Sequence, residues 1–146
     1  MPLRNLFKNC GHYWVLSGVL IAYYLYAPSF QSPSLPIVLG SLLVFIGAEI
    51  GNFYTHTVLR GLRPEGTTKR GIPRGLGFDL VSCPNYTFEI VAWIAFATMT
   101  GLWAAWLFTA VASVQMFLWA VKKHRQYHRE FSEYPRDRKI LIPFLL

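Results

Sequence analysis

Residues 9–48 read NCGHYWVLSGVLIAYYLYAPSFQSPSLPIVLGSLLVFIGA, a run of 40 positions without Asp, Glu, Lys or Arg. A bilayer core takes roughly 20 apolar residues per helix, so this stretch holds two spans and the turn between them. The first runs from about His12 to Ala27. The segment Ala27-Pro28-Ser29-Phe30-Gln31-Ser32-Pro33-Ser34 then breaks it, because prolines and serines in a cluster stop a helix. The second span starts near Leu35. No breaker follows before Gly61 and Pro64, so the helix is expected to pass Glu49 and continue toward Leu62.

A second charge-free run covers residues 90–121, 32 positions in all. One helix of that length would measure about 48 Å at 1.5 Å per residue, against a hydrocarbon core of roughly 30 Å. Two shorter or tilted spans meeting near Thr100-Gly101 fit better. The expected fold is an all-α integral membrane protein of about four transmembrane helices, with a basic cytosolic loop and a basic C-terminal tail. Composition agrees: 53% of the 146 residues are hydrophobic, only 14% are charged, and mean hydropathy is +0.33. A soluble domain carries about 25% charge. The first span makes a poor signal peptide, since it lacks a small-x-small cleavage site and more apolar sequence follows. Two cysteines, Cys10 and Cys83, exclude a disulfide scaffold and a multi-cysteine zinc site.

The 14 Lys and Arg residues fall in three clusters. These are Arg4 and Lys8; Arg60 to Arg74; and Lys122 to Lys139. Basic loops stay cytosolic, and two spans between successive clusters keep all three on that side. The net charge of +7 is therefore interleaved with the membrane topology and forms no separate nucleic-acid-binding domain. Residues 1–11 read as a cytosolic N-terminal segment and 12–50 as the first helix pair. The glycosylation match Asn85-Tyr86-Thr87 sits at the cytosolic edge and is expected to be idle.

Ionisable groups inside membrane segments are expensive and mark function. Glu49 and Glu89 stand at the cytosolic end of each spanning pair. Glu49, Asn52, His56, Arg60 and Arg63 are spaced 3, 4, 4 and 3 apart, which puts them on one helical face. Such a stripe suggests a wet pocket opening to the cytosol; the plain alternative is a helix whose last turns have left the bilayer. Asn85 and Glu89 share a face if their segment is helical, with Tyr86 beside them. An interfacial tyrosine is ordinarily an anchor, but a phenol in this company can donate a proton. No GxGxxG or GxxxxGK[ST] pattern occurs, which argues against Rossmann and P-loop nucleotide sites. His124 and His128 have metal-ligand spacing, yet Lys123, Arg125 and Arg129 around them repel a cation, so no metal is expected. An arginine-rich surface beside a membrane pocket suits a phosphorylated ligand instead.

These residues resemble a known family. Ile72-Pro73-Arg74-Gly75, then Phe78, then Val81-Ser82-Cys83-Pro84-Asn85-Tyr86-Thr87-Phe88-Glu89 and Trp93 resemble the C-terminal domain of the steroid 5α-reductase family. So does the ending, with Lys123-His124-Arg125-Gln126-Tyr127, Glu130-Phe131, Tyr134-Pro135, Arg138-Lys139 and Ile142-Pro143-Phe144. The Ser-Cys-Pro-Asn-Tyr-Thr-Phe-Glu form is similar to the trans-2-enoyl-CoA reductases within it. The resemblance runs from about Gly51 to Leu146 and implies that residues 51–146 are a catalytic region. It implies NADPH as cofactor, a long-chain enoyl-CoA substrate, the endoplasmic reticulum membrane with its lipid, and association with other fatty acid elongation enzymes. By the same resemblance Tyr86 is the catalytic residue, as proton donor or as a hydrogen-bond donor to the thioester oxygen. Asn52, His56, Arg63, Asn85, Glu89, Arg125 and Tyr127 are implied around the cofactor. His56 departs from the steroid reductases, which carry an acid there, so its role stays open between cofactor contact and substrate specificity. The family pattern also implies a longer chain, so this one reads as a fragment or a short paralogue. Competing readings are a steroid or polyprenol reductase, a membrane methyltransferase of the isoprenylcysteine type, and an inactive truncated paralogue.

Overall fold

The computed structural model describes residues 7, 10–62, 66 and 71–145. The described residues are helical, with no strand among them beyond one isolated bridge between Val81 and Lys139. Five helical segments follow in order: α1 (Gly11–Ile21), α2 (Ala22–Leu25), α3 (Leu35–Gly61), α4 (Pro84–Thr100) and α5 (Trp103–Glu130). The breaks fall where the sequence places them. Pro36 occupies the first turn of α3, where a missing N–H costs nothing. Gly101 ends α4 in the left-handed region at φ 67°, and its N–H bonds the carbonyl of Ala97 at 2.9 Å. That is the C-terminal cap glycine provides at no steric cost. The turn also brings Gly101 against Pro33, whose Cγ lies 3.1 Å from where a Cβ would stand. The winding of α1 is not legible in the sequence: it is a π-helix over its full 11 residues, and α2 follows as a short α-helical segment.

Two helices, α3 and α5, are long and apolar enough to cross a membrane, each with mean hydropathy 1.7 over its best window. Leu39, Leu43, Val44, Ile46 and Ile50 of α3 point outward, an exposed apolar surface that water would oppose and lipid would not. The other three segments are shorter. At 17 residues, α4 is about 26 Å long.

Helix α4 lies between α3 and α5. Its contact with α5 is built largely of small side chains: Ala97 from α4 packs in one buried cluster with Ala104, Ala105 and Ala112 from α5. Small side chains let helix backbones approach where lipid supplies no hydrophobic drive between helices. Thr109 Oγ1 donates across this contact to the carbonyl of Trp93 at 3.2 Å. Against α3 the approach is closer. A Cβ on Gly51 would stand 2.6–2.9 Å from ring atoms of Phe88.

The tail beyond α5 fastens the other end. It runs beside the loop entering α4, with Ser82 N–H donating to Lys139 O at 2.8 Å and Lys139 N–H to Leu80 O at 3.0 Å. Thr87 Oγ1 donates to Leu141 O at 2.6 Å. Buried Arg138 donates from Nη1 to Pro73 O at 3.0 Å and places Nη2 3.5 Å from exposed Asp79. Ser82 Oγ lies 2.6 Å from His124 Nδ1 and 2.7 Å from the Tyr134 hydroxyl, so loop, helix and tail share one buried polar knot.

Two stability outcomes follow from this packing. Gly51→Ala forces the Phe88 ring to move and is expected to cost about 1–3 kcal/mol. Gly47→Ala, with open space at its Cβ, is expected to be neutral or slightly stabilising, as thermal midpoints in detergent would show. Arg138→Leu strands the Pro73 carbonyl and is expected to cost about 1.5–3 kcal/mol. Asp79→Asn, at the exposed partner, is expected to cost under about 1 kcal/mol. Equal losses for the last two would contradict the role given to the Pro73 bond.

Candidate active site

The Gly51–Phe88 contact fixes which side chains face each other across α3 and α4. Asn52 follows Gly51 and Glu89 follows Phe88, so both stand next to the closest approach. Glu49, Asn52 and His56 share one face of α3, and they line a cavity of about 700 Å³ together with Glu89 and Trp93 of α4. The third wall comes from α1, through Ser17 and Ile21. Ser17 Oγ donates to the carbonyl of Tyr13 at 2.7 Å. The Glu89 carboxyl lies within electrostatic reach of both His56 and Glu49. Asn52 Oδ1 is buried with no hydrogen-bond partner, although buried acceptors are nearly always paired. An unmet acceptor on a cavity wall is a place for a ligand's donor.

Tyr86 is not part of that wall. It is half-buried on the neighbouring side of α4, with its ring 6.2 Å from the Trp119 ring of α5. Its hydroxyl lies within electrostatic reach of Glu89 and of Tyr13. Three residues apart on a helix, Tyr86 and Glu89 are neighbours that look toward different partners. Asn85 is buried one turn before Glu89, again outside the cavity wall. Cys83 caps the start of α4; burial pushes its thiol up to about 12 against the pull of Lys123, which makes it packing and not a nucleophile.

The remaining residues implied by the resemblance are elsewhere. Arg63 lies outside the described residues. Arg125, with Lys122 and Arg129, lines a separate groove of about 600 Å³ on α5. Tyr127 is buried and stacks on Tyr134, with ring centroids 5.2 Å apart and planes 15° from parallel, while Lys123 Nζ sits 4.8 Å above its ring. Neither Arg125 nor Tyr127 is brought to the Asn52–His56–Glu89 cavity. Arg60 is the described arginine nearest to it along α3, one turn past His56 and exposed. Sequence reasoning passes over the α1 wall. Tyr13 and Ser17 are two polar side chains four apart in an apolar helix, and that spacing was their signal.

The family model described as 3-oxo-5-alpha-steroid 4-dehydrogenase matches residues 1–146. A Schizosaccharomyces pombe protein carrying an enoyl reductase name is 53% identical over 148 residues, covering 100% of this chain and 50% of its own length. Very-long-chain enoyl-CoA reductase of Dictyostelium discoideum is 49% identical over 148 residues, covering 100% of this chain and 49% of its own. Trans-2,3-enoyl-CoA reductase-like of Mus musculus is 37% identical over 152 residues, covering 99% and 42%. The chain thus spans about half the length, or less, of these curated relatives. Since the family model covers every residue, helices and tail alike, the chain belongs to the 3-oxo-5-alpha-steroid 4-dehydrogenase family, the steroid 5α-reductases that its motifs resemble.

Proposed function

We propose that the chain carries the catalytic portion of an NADPH-dependent reductase that saturates the 2,3 double bond of long-chain and very-long-chain trans-2-enoyl-CoA. The observation that carries this reading is the convergence of Asn52, His56 and Glu89 on one cavity, with Tyr86 a single step round α4 from Glu89. The names of the relatives support the thioester substrate over a steroid.

The residues present fit the nicotinamide end of the cofactor. Asn52 Oδ1 is a buried acceptor in need of a donor, which a carboxamide N–H supplies. His56 stands on the same wall as Asn52, and Glu89 on the wall opposite. The phosphates belong toward the basic end of α3, where Arg60 has the fork geometry that suits them. Bound NADPH supplies the hydride taken up at the β carbon. The chain's own part is the proton. Tyr86 donates from its hydroxyl toward the α carbon, or hydrogen-bonds the thioester oxygen as negative charge gathers there. Glu89 orients the cofactor side, and His56 contributes to it.

The proposal extends to placement. All four helical hairpin arms cross the endoplasmic reticulum membrane, the α2–α3 and α4–α5 turns lie on the lumenal side, and both termini are cytosolic. The enzyme then serves the last step of fatty acid elongation, beside the other enzymes of that cycle.

Oxidation of NADPH by the purified chain with a long-chain trans-2-enoyl-CoA is the direct test. Tyr86→Phe is expected to lower kcat by about 10²–10⁴ with NADPH binding retained. Wild-type turnover in that variant would remove Tyr86 from the chemistry. Asn52→Leu is expected to weaken NADPH binding about 3–10-fold, the worth of one hydrogen bond. Its thermal midpoint without cofactor is expected not to fall, because Oδ1 has no partner to lose. A fluorescence titration and a melt on the same sample measure both.

A further inference from the structure

A second hollow lies on the far side of α4. Between α1 and α5 runs a groove of about 460 Å³ walled by His12, Tyr13, Val111, Val114, Leu118 and Trp119, with the Gln115 amide among them. Val111, Val114, Gln115 and Leu118 are spaced as one face of α5. From Ala110 to Leu118 the wall extends about 12 Å along the helix. No Asp, Glu, Lys or Arg lines it. It therefore has nothing for the phosphates of a nucleotide and suits a hydrocarbon.

The groove borders the candidate active site. Between them lies a crevice of about 10 Å³, room for about one water, that shares residues with each. Glu89 and Trp93 belong to both crevice and cavity; His12, Tyr13, Gln115 and Trp119 belong to both crevice and groove. The Tyr86 ring lies 6.2 Å from that of Trp119, which lines both groove and crevice. Tyr13 and Trp119 are both exposed in part, so turning either one widens the crevice without disturbing buried packing. At the outer end Val114 and Leu118 are exposed on a helix apolar enough to cross a membrane.

We propose that this α1–α5 groove is the acyl-chain subsite: it takes the alkyl tail of the enoyl thioester and sets the acyl head at the crevice between Tyr86 and Glu89. The proposal rests on the reductase reading. It adds that α4 divides the reaction, with cofactor held toward α3 and acyl chain toward α5, and that Val111, Val114 and Leu118 govern the response to chain length. The straight apolar wall and its nearness to Glu89 across the crevice favour an acyl chain over a fused-ring substrate.

The test uses the full chain in phosphatidylcholine nanodiscs and a long-chain trans-2-enoyl-CoA bearing a diazirine at the end of its tail, with labelled residues mapped by mass spectrometry. Label is expected on Val111, Val114 or Leu118, displaced by excess unlabelled long-chain enoyl-CoA. Val114→Trp is expected to reduce that label, and the ratio of long-chain to crotonyl-CoA kcat/KM, by at least about tenfold. A thermal midpoint of Val114→Trp near that of the wild-type chain is expected and controls for folding. Label that phospholipid dilutes but enoyl-CoA does not displace would make the groove a lipid-facing surface and overturn the proposal. Displaceable label confined to α3 would also overturn it. If label is displaceable in the groove but the wild-type chain oxidises no NADPH, the acyl subsite stands and the reductase reading falls. If the chain turns over and the displaceable label lies outside the groove, the reductase reading stands and the acyl subsite falls.

Discussion

Everything at the candidate site depends on how closely α3 and α4 can approach at Gly51. The Phe88 ring fills the space that a side chain at residue 51 would need. In lipid, helices gain little by hiding apolar surface from each other, so contact must come from shape. A ring packed against a glycine is a strong form of that. The residues that follow the two partners in sequence, Asn52 and Glu89, are thereby held on opposite walls of one cavity. A larger residue at 51 would act first on packing and then on the distance between those two polar groups.

The polar groups at the other end of the molecule behave differently. Ser82, His124 and Tyr134 satisfy one another, Thr87 reaches Leu141, and Arg138 reaches Pro73. Each bond ties the loop before α4 or α4 itself to α5 or to the tail. Burial of such groups is tolerable because each bond replaces one to water. The knot sets the start of α4, and with it the height of Asn85, Tyr86 and Glu89 relative to α5. Asn52 Oδ1 has no such bond. Arg138 Nε lacks one too, but of the two it is Asn52 that stands on the cavity wall.

Much of this was legible in the chain. The long charge-free runs, Pro33, Pro36 and Gly101 placed the helices, because proline and glycine act on the local backbone whatever surrounds them. The spacing of Glu49, Asn52 and His56 placed them on one face for the same reason, since helical period is local. What the spacing leaves open is which faces meet. His124 has the spacing of a metal ligand and is engaged instead with Ser82, a residue 42 positions away. Tyr127 sits in a motif of the family and packs against Tyr134. The π-winding of α1 was equally hidden. Nothing in Gly11–Ile21 breaks a helix, and nothing in its composition marks hydrogen bonds one residue longer than usual.

That winding bears on the division across α4. A π-turn widens a helix and shifts the angular position of each residue, and such turns gather at functional sites. In α1 it accompanies an unusual arrangement: Ser17 and Ile21 line the cavity toward α3, while His12 and Tyr13 line the groove toward α5. One helix thus borders both hollows, and Tyr13 is the side chain closest to being shared, within electrostatic reach of Glu89 on one side and Tyr86 on the other. Helix α4 carries Tyr86 and Glu89, and α1 borders the space beside Glu89. A ligand bound at the crevice would therefore touch α1 through His12 and Tyr13 and α4 through Glu89 and Trp93, so the irregular winding of α1 bears directly on the shape of that space.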